Sequence, residues 1–147
     1  KEAELISLII NKLTELLDNN LKPNSIGVVS PFKAQCSEIT KRISNELSKY
    51  ITIDTVERFQ GSERDFMIYS ICANNKYMLN NISSISNIHN QIVDRKLNVA
   101  ITRARKHLII LGNEQIINNS VIYANLLRYI KKNSIYLDAI EFFDFVR

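Results

Sequence analysis

The spacing of apolar residues alternates between helical and strand-like along the first half of the chain. Residues 4–18 place apolar side chains three and four positions apart, which predicts an amphipathic helix. Residues 26–29 form a short, continuous apolar run and predict a buried strand. Residues 32–47 return to helical spacing, and residues 51–53 open a second strand.

The same alternation continues in the second half. Residues 66–72 are almost entirely apolar, as in a strand covered on both faces. A helix is predicted from residue 94 to about 105, a strand over 107–111, a helix over 122–130 and an edge strand at 135–137. Buried strands that alternate with helices predict an α/β fold, with a mostly parallel sheet and helices on both faces. We expect residues 1–147 to form a single domain.

Residues 74–92 break this alternation. They contain six asparagines, no glycine and no proline, and their isoleucines follow no regular period. The sequence therefore predicts an irregular insertion between the strand and the helix that flank it.

Composition narrows the functional classes. The 147 residues include three glycines, which lie too far apart for a glycine-rich phosphate loop. We therefore expect that the chain does not bind a nucleoside triphosphate by itself. The net charge of +4 permits a polyanionic partner without requiring one. Two cysteines and the lack of a long apolar run favour a cytoplasmic protein with no membrane span, and no residue is predicted to bind a metal.

Three segments carry candidate chemistry, and the first follows the first strand. In parallel sheets, ligands bind outside the carboxyl ends of the strands. Ser30 there is a predicted helix N-cap with Pro31 at the first helical position, which leaves backbone N–H groups free for a phosphate. Ordinary helix capping explains the same residues.

The second segment, residues 53–65, joins two strands and is dense in charged and polar groups. Gly61 is expected at positive φ, where it would let the chain turn and present Glu63. A carboxylate in that position could accept hydrogen bonds from a ribose hydroxyl. The alternative is a solvated turn with Glu–Arg pairs that contribute little.

The third segment, residues 94–107, holds five of the nineteen lysines and arginines. On a continuous helix Arg103 and Arg105 would lie roughly 160° apart, so they could not serve the same ligand. Arg103 would lie beside the small residue Ala100, where packing could fix it. A basic, solvated helix face is the alternative.

Together these segments resemble the C-terminal half of the motor core of superfamily 1 helicases. The most similar branch includes the nonsense-mediated-decay RNA helicase and related DNA helicase–nucleases. V-V-S-P-F-K-A-Q at 28–35 is similar to the family's [TS]-P-[YF]-x-x-Q strand end, and residues 55–68 and 97–113 resemble its motifs V and VI. The resemblance covers about residues 24–115.

This resemblance implies a RecA-like second domain that closes over ATP and Mg²⁺ bound mainly by an N-terminal RecA-like domain of the same protein. Arg103 would be the arginine finger that contacts the γ-phosphate, because its fork of N–H donors suits the charge that spreads over the phosphoryl oxygens. Glu63 would contact the ribose or the network of residues on the nucleotide side. Gln60 and Gly61 would shape its loop, and Arg105 would pair with neighbouring acids.

The resemblance also implies a partner, single-stranded or duplex DNA or RNA. The candidate contacts to the strand are Ser30, Pro31 and Thr55, with Phe32 and Gln35 in support. Since the phosphate loop and the Mg²⁺-binding acids are absent, we expect a fragment of a larger ATP-dependent helicase that is inactive alone. The alternative is a non-catalytic nucleic-acid-binding or scaffold module derived from a helicase domain.

Overall fold

A four-stranded sheet organises the chain in a computed structural model, which describes residues 1–17, 20–59 and 61–146. The strands are β1 (Ile26–Ser30), β2 (Ile51–Thr55), β3 (Arg64–Ser70), β4 (Ile85–Ile88), β5 (Gln91–Asp94) and β6 (Ala104–Leu111). The helices are α1 (Glu2–Leu17), α2 (Lys33–Thr40), α3 (Lys76–Ile82), α4 (Arg95–Ile101), α5 (Glu114–Ile117), α6 (Val121–Asn133) and α7 (Ala139–Val146).

The main sheet has the order β2-β1-β3-β6, and every neighbouring pair is parallel. All five residues of β1 are buried, as expected for a central strand with helices on both faces. Parallel pairing brings the carboxyl ends of the strands to one edge and their amino ends to the opposite edge. The predicted α/β, RecA-like architecture with a mostly parallel sheet is confirmed.

Alternate side chains of the central strands serve two separate cores. Val28 and Ile68 pack with Ile6 and Ile10 of α1 and with α2 on one face. Val29, Met67 and Tyr69 face the other side, where they pack with the chain after β2 and with α3 to α6. Because successive strand residues point to opposite faces, one run of apolar residues can anchor helices on both sides.

Gly27 allows a close approach that positions the chain between β2 and β3. A Cβ atom added at Gly27 would lie 2.8 Å from the ring of Phe59 and 2.9 Å from Cγ of Arg64. Since a real Cβ does not approach other atoms so closely, only glycine lets the segment after β2 cross the sheet at this distance. That segment carries Glu63.

Two predicted helices end earlier than the sequence indicates. The helical spacing of residues 32–47 continues only to Thr40, where turns take over. The helix expected to reach about residue 105 ends at Ile101, because Ala104 pairs with Arg64 and opens β6. This long-range pairing decides the boundary against the local pattern.

Two other predictions about local structure are wrong. Residues 74–92 contain α3 and most of an antiparallel hairpin of β4 and β5, whose turn places His89 and Asn90 at positive φ. Residues 135–137 form no strand; they connect α6 to α7, and the Tyr136 hydroxyl donates to Glu114. No helix in the described ranges combines the length and the apolar character that a bilayer crossing requires.

Candidate functional site

The predicted site residues separate to the two opposite ends of the sheet. Ser30 and Thr55 are the last residues of β1 and β2, at the carboxyl end. Glu63 and Arg103 directly precede β3 and β6, at the amino end. The rule that ligands bind at the carboxyl ends of strands therefore selects only the first group.

Two contacts connect the segment between β2 and β3 to neighbouring elements. At the amino end, the backbone N–H of Arg64 donates to the carbonyl of Arg103 over 3.0 Å, which brings the backbone at Glu63 close to Arg103. The ammonium of Lys96 lies 2.7 Å from the carboxylate of Glu57, and this hydrogen bond lowers the pKa of Glu57. The segment after β2 is thus connected both to α4 and to the start of β6.

Arg103 lies beyond the end of α4 and is held by the last turn of that helix. Its Nε donates to the carbonyl of Val99 over 3.2 Å, and its Nη2 lies 3.4 Å from the hydroxyl of Thr102. No described carboxylate forms an ion pair with it. The prediction assumed a continuous helix through Arg103, and that assumption is wrong because α4 ends at Ile101. The predicted separation of partners agrees with the contacts, since Arg103 donates to Val99 and Arg105 donates to Glu63.

The turn before β3 presents Glu63 at the surface. Gly61 adopts φ +77°, as predicted, and the Glu63 carboxylate lies 3.3 Å from Nε of Arg105. The predicted pairing of Arg105 with a neighbouring acid is confirmed. Lys106 similarly lies 2.8 Å from Asp65 and lowers the pKa of that carboxyl. Gln60 lies outside the described residues.

Two polar residues are buried at the carboxyl end of the sheet. Ser30 has no exposed area and Thr55 is 5% exposed, while Pro31 and Phe32 are half-buried. Ser30 belongs to β1, and its hydroxyl accepts a long hydrogen bond from the N–H of Phe32. The predicted capping role is wrong, because the N-cap of α2 is Phe32, two residues after Ser30, and the helix begins at Lys33.

A hydrogen-bond chain that the sequence did not indicate fixes Gln35. Its Nε2 donates to the Ser70 hydroxyl over 3.1 Å, and that hydroxyl donates to the Glu2 carboxylate over 2.6 Å. The backbone N–H of Cys72 donates to the same carboxylate oxygen. Ser70 is a hydroxyl inside the apolar run 66–72, the one sequence signal that could have drawn attention to this network.

The two ends have different chemical capacities. The amino end offers a carboxylate that can accept hydroxyl hydrogen bonds, at Glu63, and a guanidinium with no carboxylate partner among the described residues, at Arg103. Near the carboxyl end, burial raises the pKa of the Cys36 and Cys72 thiols, which disfavours their nucleophilic thiolate form. Among the described residues, no three His, Cys, Asp or Glu side chains are grouped as a metal site requires.

Comparison with known proteins places these segments in a family context. The family model described as "AAA domain" matches residues 1–115. The chain is 32% identical to "Regulator of nonsense transcripts 1" of Dictyostelium discoideum over 93% of its own length and 10% of that protein. It is 36% identical to "DNA polymerase alpha-associated DNA helicase A" of Saccharomyces cerevisiae over 76% of its length and 15% of that protein.

A third relative comes from the helicase–nucleases. The chain is 29% identical to "DNA replication ATP-dependent helicase/nuclease dna2" of Schizosaccharomyces pombe over 86% of its length and 8% of that protein. The chain thus spans roughly a tenth of the length of these relatives.

Proposed function

This chain belongs to the AAA domain family and is a helicase domain of superfamily 1, in the branch of the nonsense-mediated-decay and helicase–nuclease proteins, and we propose that it is the second motor domain of an ATP-dependent nucleic-acid helicase. The observation that carries the proposal is the backbone hydrogen bond from the N–H of Arg64 to the carbonyl of Arg103, which brings the residues that precede β3 and β6 together at the amino end of the sheet. Motor activity then requires an N-terminal RecA-like domain to hold ATP and Mg²⁺.

Arg103 is the proposed arginine finger. Contacts to Val99 and Thr102 hold its Nε and Nη2 against the end of α4, while no described carboxylate neutralises its charge. A fixed guanidinium of this kind suits phosphoryl transfer, in which negative charge spreads over equatorial oxygens as the bond breaks. Glu63 would accept hydrogen bonds from the ribose, for which it exchanges its contact with Arg105.

The carboxyl end is the proposed strand-binding side. Pro31 and Phe32 directly follow β1 and are half-buried, and Gln35 donates to Ser70 at the end of β3. Ser30 and Thr55 are the buried last residues of β1 and β2. The segment after β2 begins directly after Thr55 and ends at Glu63, so it connects the strand-binding side with the nucleotide side. ATP-driven closure and opening of two domains would then alternate the grip on a single strand.

Substitution of Arg103 by alanine tests the nucleotide role. In a protein that carries this chain together with its first motor domain, we expect ATP turnover to fall by about 10³–10⁵, because a missing finger leaves the transition-state charge unstabilised. The measurement is the steady-state rate at saturating ATP and single strand. The 147-residue chain alone is expected to hydrolyse no ATP.

Lys106→Ala is the matched control, since Lys106 lies three residues away and pairs with Asp65 at the surface. We expect it to keep near-normal turnover. Near-normal turnover in the Arg103→Ala protein would contradict the finger role. Strand binding in a wild-type two-domain protein that hydrolyses no ATP would instead favour a non-catalytic binding module.

A further inference from the structure

A cavity opens at the edge of the sheet, beside the proposed strand-binding residues. It lies between α2 and the carboxyl half of β2 and has a volume of about 390 Å³. The lining residues that matter for its chemistry are Lys33, Asp54, Thr55 and Arg58. Its size falls in the range of ordinary ligand pockets, roughly 300–1,000 Å³, so it admits a group as large as a phosphate with its sugar.

The two cations of this cavity are available to a ligand. Arg58 is exposed, and it is the one arginine within the described ranges whose side chain donates no hydrogen bond to the protein. Lys33 is exposed as well and forms no ion pair with any described residue. One carboxylate, Asp54, also lines the cavity, and it accepts a hydrogen bond from the N–H of Thr55.

Position separates this cavity from the nucleotide side. Lys33 directly follows Phe32, and Arg58 lies in the turn after Thr55, so both flank the carboxyl end of the sheet. Glu63 and Arg103 lie at the opposite end. The predicted contacts Ser30 and Thr55 are buried, so an arriving strand meets the exposed cations first.

We propose that this cavity is a phosphate-binding subsite for the backbone of a nucleic-acid strand, with Lys33 and Arg58 as its ligands. The inference rests on the proposed strand-binding function and adds two residues to it. Arg58 would donate its guanidinium fork to one phosphodiester group, and Lys33 would supply a second positive charge from the first turn of α2. Contacts of this kind recognise the backbone and carry no sequence preference.

Salt-dependent binding of an oligothymidylate to the 147-residue chain tests the subsite. We expect Lys33→Ala and Arg58→Ala each to weaken binding by about tenfold at low salt, because each removes one charge-assisted contact. The slope of log affinity against log salt should become shallower by about 0.7 for each lost phosphate contact. Fluorescence anisotropy across a salt series measures both quantities.

Lys132→Ala and Arg128→Ala are the matched controls, because both side chains are exposed on α6. They should keep the wild-type affinity and slope. If the two cavity substitutions also leave affinity and slope unchanged while the wild-type chain binds the strand, the subsite is overturned and the strand-binding function stands. A wild-type chain that binds no strand contradicts both.

A second arm identifies the source of the phosphate. The displacement of labelled oligothymidylate is measured with ATP and with inorganic phosphate, at matched ionic strength. We expect neither to compete beyond a chloride control, because the subsite recognises a strand that several contacts hold at once. Competition by ATP that disappears in Arg58→Ala would assign the cavity to a free nucleotide and overturn the proposal.

Discussion

The amino and carboxyl ends of the sheet use polar residues in opposite ways. At the amino end, Glu63 and Arg105 pair with about half of each side chain exposed. At the carboxyl end, Ser70 is fully buried and bonds to Gln35 and Glu2. Exposed ion pairs exchange partners at little cost, whereas a buried network loses stability when one member is removed.

This difference matches the separate roles that we propose. A nucleotide side that must form and release contacts in every cycle is served by groups whose present partners are weak. A strand-binding side that must keep its shape is served by groups fixed beneath the surface. The comparison predicts that stability resides at the carboxyl end and that turnover depends on the amino end.

The largest expected effect on stability comes from the buried tyrosines near the carboxyl end. Tyr69 directly precedes Ser70, and its hydroxyl lies 3.2 Å from that of Tyr123. Burial raises the pKa of Tyr123 to about 12 and that of Tyr69 well above its usual value. Because the unfolded chain loses these protons near pH 10, stability is fully present below pH 10 and is lost as pH rises toward 12.

The shift at Tyr123 corresponds to about 3 kcal/mol of unfolding free energy. We therefore expect Tyr123→Phe to weaken the alkaline loss by about that amount, and to cost about 1 kcal/mol at pH 7 through the missing hydrogen bond. Urea unfolding at pH 7 to 11.5 measures the cost at pH 7 and the part of the alkaline loss that is complete by pH 11.5, about 2 kcal/mol. Tyr129→Phe, with its side chain exposed on the same helix, is the control. An alkaline loss that Tyr123→Phe leaves unchanged would contradict the assignment.

The sequence predicted the core of the sheet more accurately than its connections. The apolar runs that became β1 and β3 are buried on both faces, and few other structures accommodate such runs. The end of α4 depends on Ala104 pairing with Arg64, forty positions away, which no local pattern contains. The hairpin depends on positive φ at His89 and Asn90, and of these only asparagine is a common turn residue.

The candidate site divides in the same way. Glu63, Gly61 and the pairing of Arg105 could be predicted, because they depend on turns and on charges close to the motifs. The burial of Ser30 and the contact of Ser70 with Glu2 could not, since both depend on packing between segments that are far apart in the chain. A motif indicates which side chains are important, but tertiary packing decides which of them solvent and ligands can reach.

Ser70→Ala tests whether the buried network stabilises the carboxyl end. The substitution removes the hydroxyl that donates to Glu2 and accepts a hydrogen bond from Gln35. We therefore expect a loss of about 1–3 kcal/mol in the free energy of unfolding. Chemical denaturation at pH 7 measures the loss. Ser7→Ala is the control, because the Ser7 hydroxyl bonds only to a carbonyl of its own helix. Equal, small losses in both proteins would show that the network adds nothing to stability.

The smallest effect is expected from Arg105→Ala at the amino end. Its Nε lies 3.3 Å from the Glu63 carboxylate, but more than half of each side chain is exposed, so solvent and salt screen the attraction. We expect a loss of less than about 1 kcal/mol in unfolding free energy, and no measurable loss in about 1 M salt. Urea titrations at low and high salt measure this difference. A loss that exceeds that of Ser70→Ala, or one that salt leaves unchanged, would reverse the comparison, because the amino end would then hold its residues as firmly as the buried network does.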